Sequence, residues 1–167
     1  MLAVNDTVHY GMDGVCRVTD IVSRKVDGRV RRFYELHPYF RKNIVVFLPV
    51  DNDQLLSRVR PVLDKKEILS AIHGINEAEC IWIDQENARR ETYQLILRSG
   101  DHKQLVRLIK TLTERRSSLN EDGKKMRSAD SACLKEAERL LHEEFAFVLG
   151  IEPDAVPAFI RKNLSEE

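Results

Sequence analysis

The chain has 167 residues, 43% hydrophobic and 32% charged, and its 27 Lys/Arg balance its 27 Asp/Glu. That mix supports a folded core and excludes a disordered or collagen-like chain. Neutrality excludes a nucleic-acid binder working by charge alone, because phosphate neutralisation supplies most non-specific affinity. Residues 1–63 hold ten Lys/Arg against seven Asp/Glu and residues 64–167 hold seventeen against twenty, so the first part is net basic and the second net acidic. No window approaches the roughly 18 to 20 apolar residues of a membrane helix. With no basic-then-apolar leader at the N-terminus, a cytoplasmic protein without membrane contact is expected.

The first sixty residues read as short strands. Thr7-Val-His-Tyr10 stops at Gly11 and Gly14, and a β-rich run covers 15–26. Asp27-Gly28 predicts a type I′ hairpin turn, which needs positive φ at both central residues. The return strand, 30–36, ends at His37-Pro38, and 44–48 is closed by Pro49. A last strand, 59–63, contains Pro61, which marks an edge or an end. Five short strands bury little as an open sheet, so closure into an SH3/Tudor-like small β-barrel over 1–63 is expected.

From Asp64 the period becomes helical. Asp64 with Glu67 forms a capping-box start and Gly74 a stop. Helices are expected over 79–99, 101–120 and 128–149, and a short last one follows Pro153. Residues 64–167 therefore read as a compact bundle of about five helices, and the whole chain as α+β. On a helix over 79–99, Trp82 would share a polar stripe with Gln85, Glu86, Arg89 and Tyr93, while Ile81, Ala88 and Leu95 suit the core.

No phosphate-binding glycine loop, HExxH, GxSxG or paired-Cys pattern occurs. Cys16, Cys80 and Cys133 are far apart, each in an apolar stretch, and read as buried free thiols. Acid pairs such as Glu143/Glu144 read as solvated helix faces. No catalytic residue, metal set or cofactor is expected. What remains are contact features: the single tryptophan, Trp82; the hairpin Arg24-Lys25-Val26-Asp27-Gly28-Arg29-Val30-Arg31-Arg32; and a basic turn with Lys124, Lys125 and Arg127. Alternation assigns Arg29 and Arg31 to one hairpin face and Val26, Val30 and Arg32 to the other. Trp82 is either an exposed contact residue or the closure of a joint between two domains.

Asn5-Asp-Thr-Val-His-Tyr10, Gly14, Tyr34-Glu-Leu36, Val46-Phe-Leu-Pro-Val50-Asp-Asn52 and Arg58-Val-Arg-Pro-Val62 together resemble the N-terminal domain of the CarD/CdnL family of bacterial transcription regulators. That domain also occurs in the transcription-repair coupling factor. Trp82, Arg89, Leu97-Arg-Ser-Gly-Asp101 and Ala137-Glu-Arg-Leu-Leu141 with Glu144 resemble the family's helical domain. The resemblance implies a Tudor-like barrel that docks on the RNA polymerase β subunit, partly by extending a sheet edge. It implies Arg24, Val26, Val45, Phe47 and Pro49 as the polymerase-binding residues. The helical domain would reach promoter DNA at the upstream edge of the bubble, with Trp82 in the minor groove and Arg89, Arg90, Lys124 and Lys125 on phosphates. The expected function is non-enzymatic tuning of the open promoter complex. The alternative is a protein–protein adaptor that never touches nucleic acid.

Overall fold

A computed structural model of the chain describes residues 1–165. It divides into two compact units, residues 1–62 and the chain from Leu63 onward.

The first unit holds β1 (Thr7–Tyr10), β2 (Gly14–Val26), β3 (Arg29–Pro38), β4 (Val46–Pro49), a one-turn helix α1 (Asp53–Leu56) and β5 (Val59–Pro61). They form one antiparallel sheet in the order β4-β3-β2-β1-β5. Asp27 (φ 50°) and Gly28 (φ 78°) make the β2–β3 turn, so the expected two-residue hairpin forms. A bulge at Val18/Asp20 shifts the β2–β3 register. The alternation thereby sets Cys16, Val18, Tyr34, Leu36 and Leu48, with Tyr10 of β1, into one buried cluster. Each fully buried aliphatic side chain here contributes about 1.5–3 kcal/mol. Beyond this core, the hairpin residues 23–32 are exposed on both faces.

One detail of that hairpin differs from the alternation expected of it. Val26 pairs directly with Arg29 and Arg24 with Arg31. Directly paired residues share a face, so Val26 lies with Arg29 and Arg31, and Val30 and Arg32 lie opposite. The two-residue turn fixes this pairing, which counting along a single strand does not reveal.

The second unit holds α2 (Lys65–His73), α3 (Glu86–Ser99), α4 (His102–Glu121), α5 (Ser128–Leu149), a 3-10 turn (Pro153–Ala155) and α6 (Val156–Leu164). The capping box forms as expected: Asp64 Oδ1 accepts from Glu67 N (2.7 Å) and Glu67 Oε2 from Asp64 N (2.8 Å). Asp101 caps α4 through the N–H groups of Lys103 and Gln104. Left-handed Gly100 and Gly150 end α3 and α5. The core gathers Ile68, Ile72, Leu105, Leu108, Leu112, Ala137, Leu140 and Phe145. No helix among the described residues is long and apolar enough to cross a membrane.

Four expectations fail in this unit. The helix expected over 79–99 begins only at Glu86, so Trp82 lies on the segment between α2 and α3. Its phase is also inverted: Arg89 and Tyr93 join Ile96 and Leu97 in the interior, while Leu95 is 64% exposed. Apolarity misled because Ile81, which anchored the expected core stripe, is not helical. Cys80 is exposed, whereas Cys16 and Cys133 are buried; its thiol donates to Glu114 Oε2 (3.0 Å), and that bond pushes its pKa up. Glu144 is buried, not solvated, and one of its carboxylate oxygens accepts from Leu63 N (3.3 Å).

Candidate functional site

In the first unit the candidate surface is the sheet face opposite the core. Pairing of Val22 with Phe33, Phe33 with Pro49 and Glu35 with Phe47 sets these side chains on one face. Arg24 and Val26 share that face by alternation along β2. The Arg24 guanidinium lies 3.9 Å from the centre of the Phe47 ring. Glu35 Oε1 bonds to His37 Nε2 (2.8 Å) and accepts from Thr19 Oγ1 (3.2 Å). The His37 bond holds this carboxyl below its usual range, with Arg24 adding to it. Arg24 and Val26 are exposed, Phe47 and Pro49 half-buried, and Val45 is exposed just before β4. Since β4 ends the strand order, Val45, Phe47 and Pro49 lie on or beside an edge of the sheet, and Arg24 reaches the Phe47 ring from β2 across the outer face. An apolar strip flanked by cations, next to an unpaired strand edge, suits strand addition or docking against an acidic protein surface.

In the second unit the candidate surface is built around Trp82. Between α2 and α3 the chain makes few backbone bonds of its own, and an irregular segment must have its polar groups satisfied by other means. Side chains of α3 and α4 do this in chain order. Lys110 Nζ donates to the carbonyls of Asn76 (2.7 Å) and Ala78 (2.8 Å), and Arg107 Nε to that of Glu79 (3.2 Å). Thr111 Oγ1 accepts from Ile81 N (2.9 Å), and Tyr93 OH donates to Ile81 O (2.9 Å). Arg89 Nη1 donates to the carbonyls of Ile83 (2.9 Å) and Asp84 (3.2 Å). Trp82 is thus flanked on both sides by backbone groups held by the buried side chains of Tyr93, Thr111 and Arg89, while half-buried Arg107 and Lys110 hold the start of the segment.

The indole itself is half-buried. Its Nε1 donates to Asp84 Oδ1 (2.9 Å). Two guanidinium groups lie over its ring, Arg89 at 4.4 Å and Arg115 at 4.5 Å from the centroid. Each such contact contributes from about 0.5 kcal/mol where exposed to about 2 kcal/mol where desolvated. Beside the ring opens a cleft of about 220 Å³ whose rim carries Arg115, Lys125 and Arg127. All three are exposed.

The residues expected on phosphates are not equivalent. Arg89 is no surface cation: it is 4% exposed and forked onto Asp130, with Nε–Oδ1 at 3.1 Å and Nη2–Oδ2 at 3.2 Å. A guanidinium so committed supports the loop from inside, because core packing of α3 turned it inward. Arg90 is exposed and 3.6 Å from Glu86, which Arg127 also contacts. Lys124 and Lys125 are exposed in the turn between α4 and α5, and only Lys125 lines the cleft. Sequence reasoning missed Arg115, Asp84 and Asp130. Arg115 lies in the run Glu114-Arg115-Arg116, which reads as a solvated face, and Asp130 reads as a favourable acid in the first turn of a helix. Among the described residues no group of three or more His, Cys, Asp or Glu could hold a metal ion.

Residues 2–60 match the family model of the CarD-like/TRCF RID domain. No curated protein matches the chain.

Proposed function

From the premise that this chain carries a CarD-like/TRCF RID domain over residues 2–60, we propose that it is a non-enzymatic transcription regulator that tunes the lifetime of the open promoter complex. The domain match supports RNA polymerase interaction in transcription, and it is the observation that carries the reading. The β subunit is the proposed docking partner. Arg24, Val26, Val45, Phe47 and Pro49 are the proposed contacts, with the apolar strip covered and the free side of β4 extended by a partner strand.

The helical unit is proposed to meet promoter DNA at the upstream edge of the bubble, with Trp82 against the minor groove. An aromatic wedge costs little where base pairs are already opening, and it disfavours their reclosure. Arg115, Lys125 and Arg127 around the indole supply phosphate contacts that position without reading sequence; Arg90 and Lys124 extend this set. A neutral protein serves here because polymerase supplies most of the affinity for DNA. No cofactor enters the proposed function, and its place of action is the bacterial cytoplasm.

Two outcomes test the reading. Arg24→Glu, with the fold verified by circular dichroism, weakens capture by purified core polymerase by more than about tenfold, since opposed like charges cost several kcal/mol. Undiminished capture moves the docking surface elsewhere. Trp82→Ala leaves capture intact and shortens the open-complex lifetime by at least about fivefold, because an aromatic ring on a base contributes about 1–3 kcal/mol. The adaptor reading draws on the two arginines that already cover the indole, and it predicts an unchanged lifetime for Trp82→Ala.

A further inference from the structure

We propose that Asp130 is a positioning residue for the Trp82 indole and acts through Arg89. This inference rests on the reading of Trp82 as the nucleic-acid contact. The chain of contacts is short and largely buried. Asp130, 6% exposed in the first turn of α5, accepts two bonds from Arg89. That fork leaves Nη1 of Arg89 to hold the carbonyls of Ile83 and Asp84, the two residues that follow Trp82. It also fixes the plane of the guanidinium that lies over the indole. Asp84, whose own carbonyl is held in this way, returns its side chain to the indole N–H. One carboxylate on α5 therefore sets both the backbone beside Trp82 and the cation on its ring.

The geometry is particular to arginine and to a short acid. Only a guanidinium can fork onto a carboxylate, reach two carbonyls and stack on a ring at once, whereas an ammonium offers a point charge without a plane. A ring meant to enter a distorted minor groove gains from being held in place beforehand, since ordering it on contact subtracts from binding. Arg115 does not supply this service: it is exposed, and nothing on α5 holds it among the contacts of this site.

The full-length chain supplies its own reporter, because Trp82 is its only tryptophan. Asp130→Asn keeps the size of the side chain and one acceptor but loses the second arm of the fork. In the free protein it raises the acrylamide quenching constant of Trp82 about twofold and shifts the emission maximum, while far-UV circular dichroism and polymerase capture stay unchanged. Arg89→Lys does the same and does not rescue, since a lysine keeps the charge and loses the plane. If Asp130→Asn fails to fold, the paired replacement Arg89→Met with Asp130→Leu removes the charges together and is expected to show the same rise in quenching. Unchanged Trp82 quenching in a folded variant overturns the inference. On promoter DNA with polymerase, Asp130→Asn shortens the open-complex lifetime, and in combination with Trp82→Ala it adds nothing further; a full additive loss also overturns the inference. Raised quenching in Asp130→Asn together with an unchanged lifetime in Trp82→Ala supports the positioning and refutes the DNA-contact reading instead.

Discussion

Asp130→Ala is expected to lower the unfolding free energy of the helical unit by about 3–5 kcal/mol, the usual cost of leaving one partner of a buried ion pair uncompensated. Arg89 and Asp130 have side-chain exposures of only 5% and 9%, so neither water nor salt can replace the missing charge. Deleting the carboxylate leaves two guanidinium nitrogens, Nε and Nη2, without the partners they have in this structure. Against a total stability of about 5–15 kcal/mol, that loss is large. The contrast is Arg127, whose side chain is 67% exposed where it meets Glu86; its removal costs at most about 1 kcal/mol. Denaturant titration read by Trp82 emission measures both variants on the unit that contains the reporter. A loss below about 1 kcal/mol for Asp130→Ala would mean that the fork is open in solution.

Leu36→Ala should act on the other unit. Leu36 is fully buried among Tyr10, Cys16, Val18, Tyr34 and Leu48. Removing its branched end costs about 2–5 kcal/mol, according to how far the site collapses. A unit of this size buries only about 60% of the surface its unfolded chain exposes and is correspondingly marginal. The same substitution that a large domain absorbs therefore melts most of this sheet near physiological temperature. Hydrogen exchange should show protection lost across β1, β2 and β3, polymerase capture should fall with it, and Trp82 emission should remain native. Retained protection in those strands would mean that the sheet draws its stability from elsewhere.

Much of the architecture was legible in the residues because it depends on local chemistry. Asp27-Gly28 specifies its turn through backbone dihedrals that few other pairs adopt, and the turn forms. Asp64 and Glu67 cap α2 reciprocally, and Asp101 caps α4, because each acid lies within three residues of the N–H groups it serves. The domain type was legible as well: the pattern of Asn5-Asp-Thr-Val-His-Tyr10 through Arg58-Val-Arg60 lies within the stretch that matches the CarD-like/TRCF RID domain.

The candidate contact site of the helical unit was legible only in part. Trp82 stood out through its rarity, but its setting did not, because the segment before α3 is held by side chains distant in sequence. Tyr93 and Thr111 bind one peptide unit, that of Ile81, from two different helices. Arg89 and Asp130 lie 41 positions apart and still meet. Period counting read Arg89 as a surface cation and Leu95 as core, since it weighs each side chain by polarity and cannot see a distant acid that makes burial of a charge tolerable.

The order of the elements, the turns and the helix caps were thus determined by the sequence itself, since each depends on contacts that close within a few residues. Only the tertiary structure decided which face of α3 turns inward, where that helix begins and what lies over the indole. These depend on buried polar groups that meet across helices, and a buried charge has no address until its partner arrives from elsewhere in the chain.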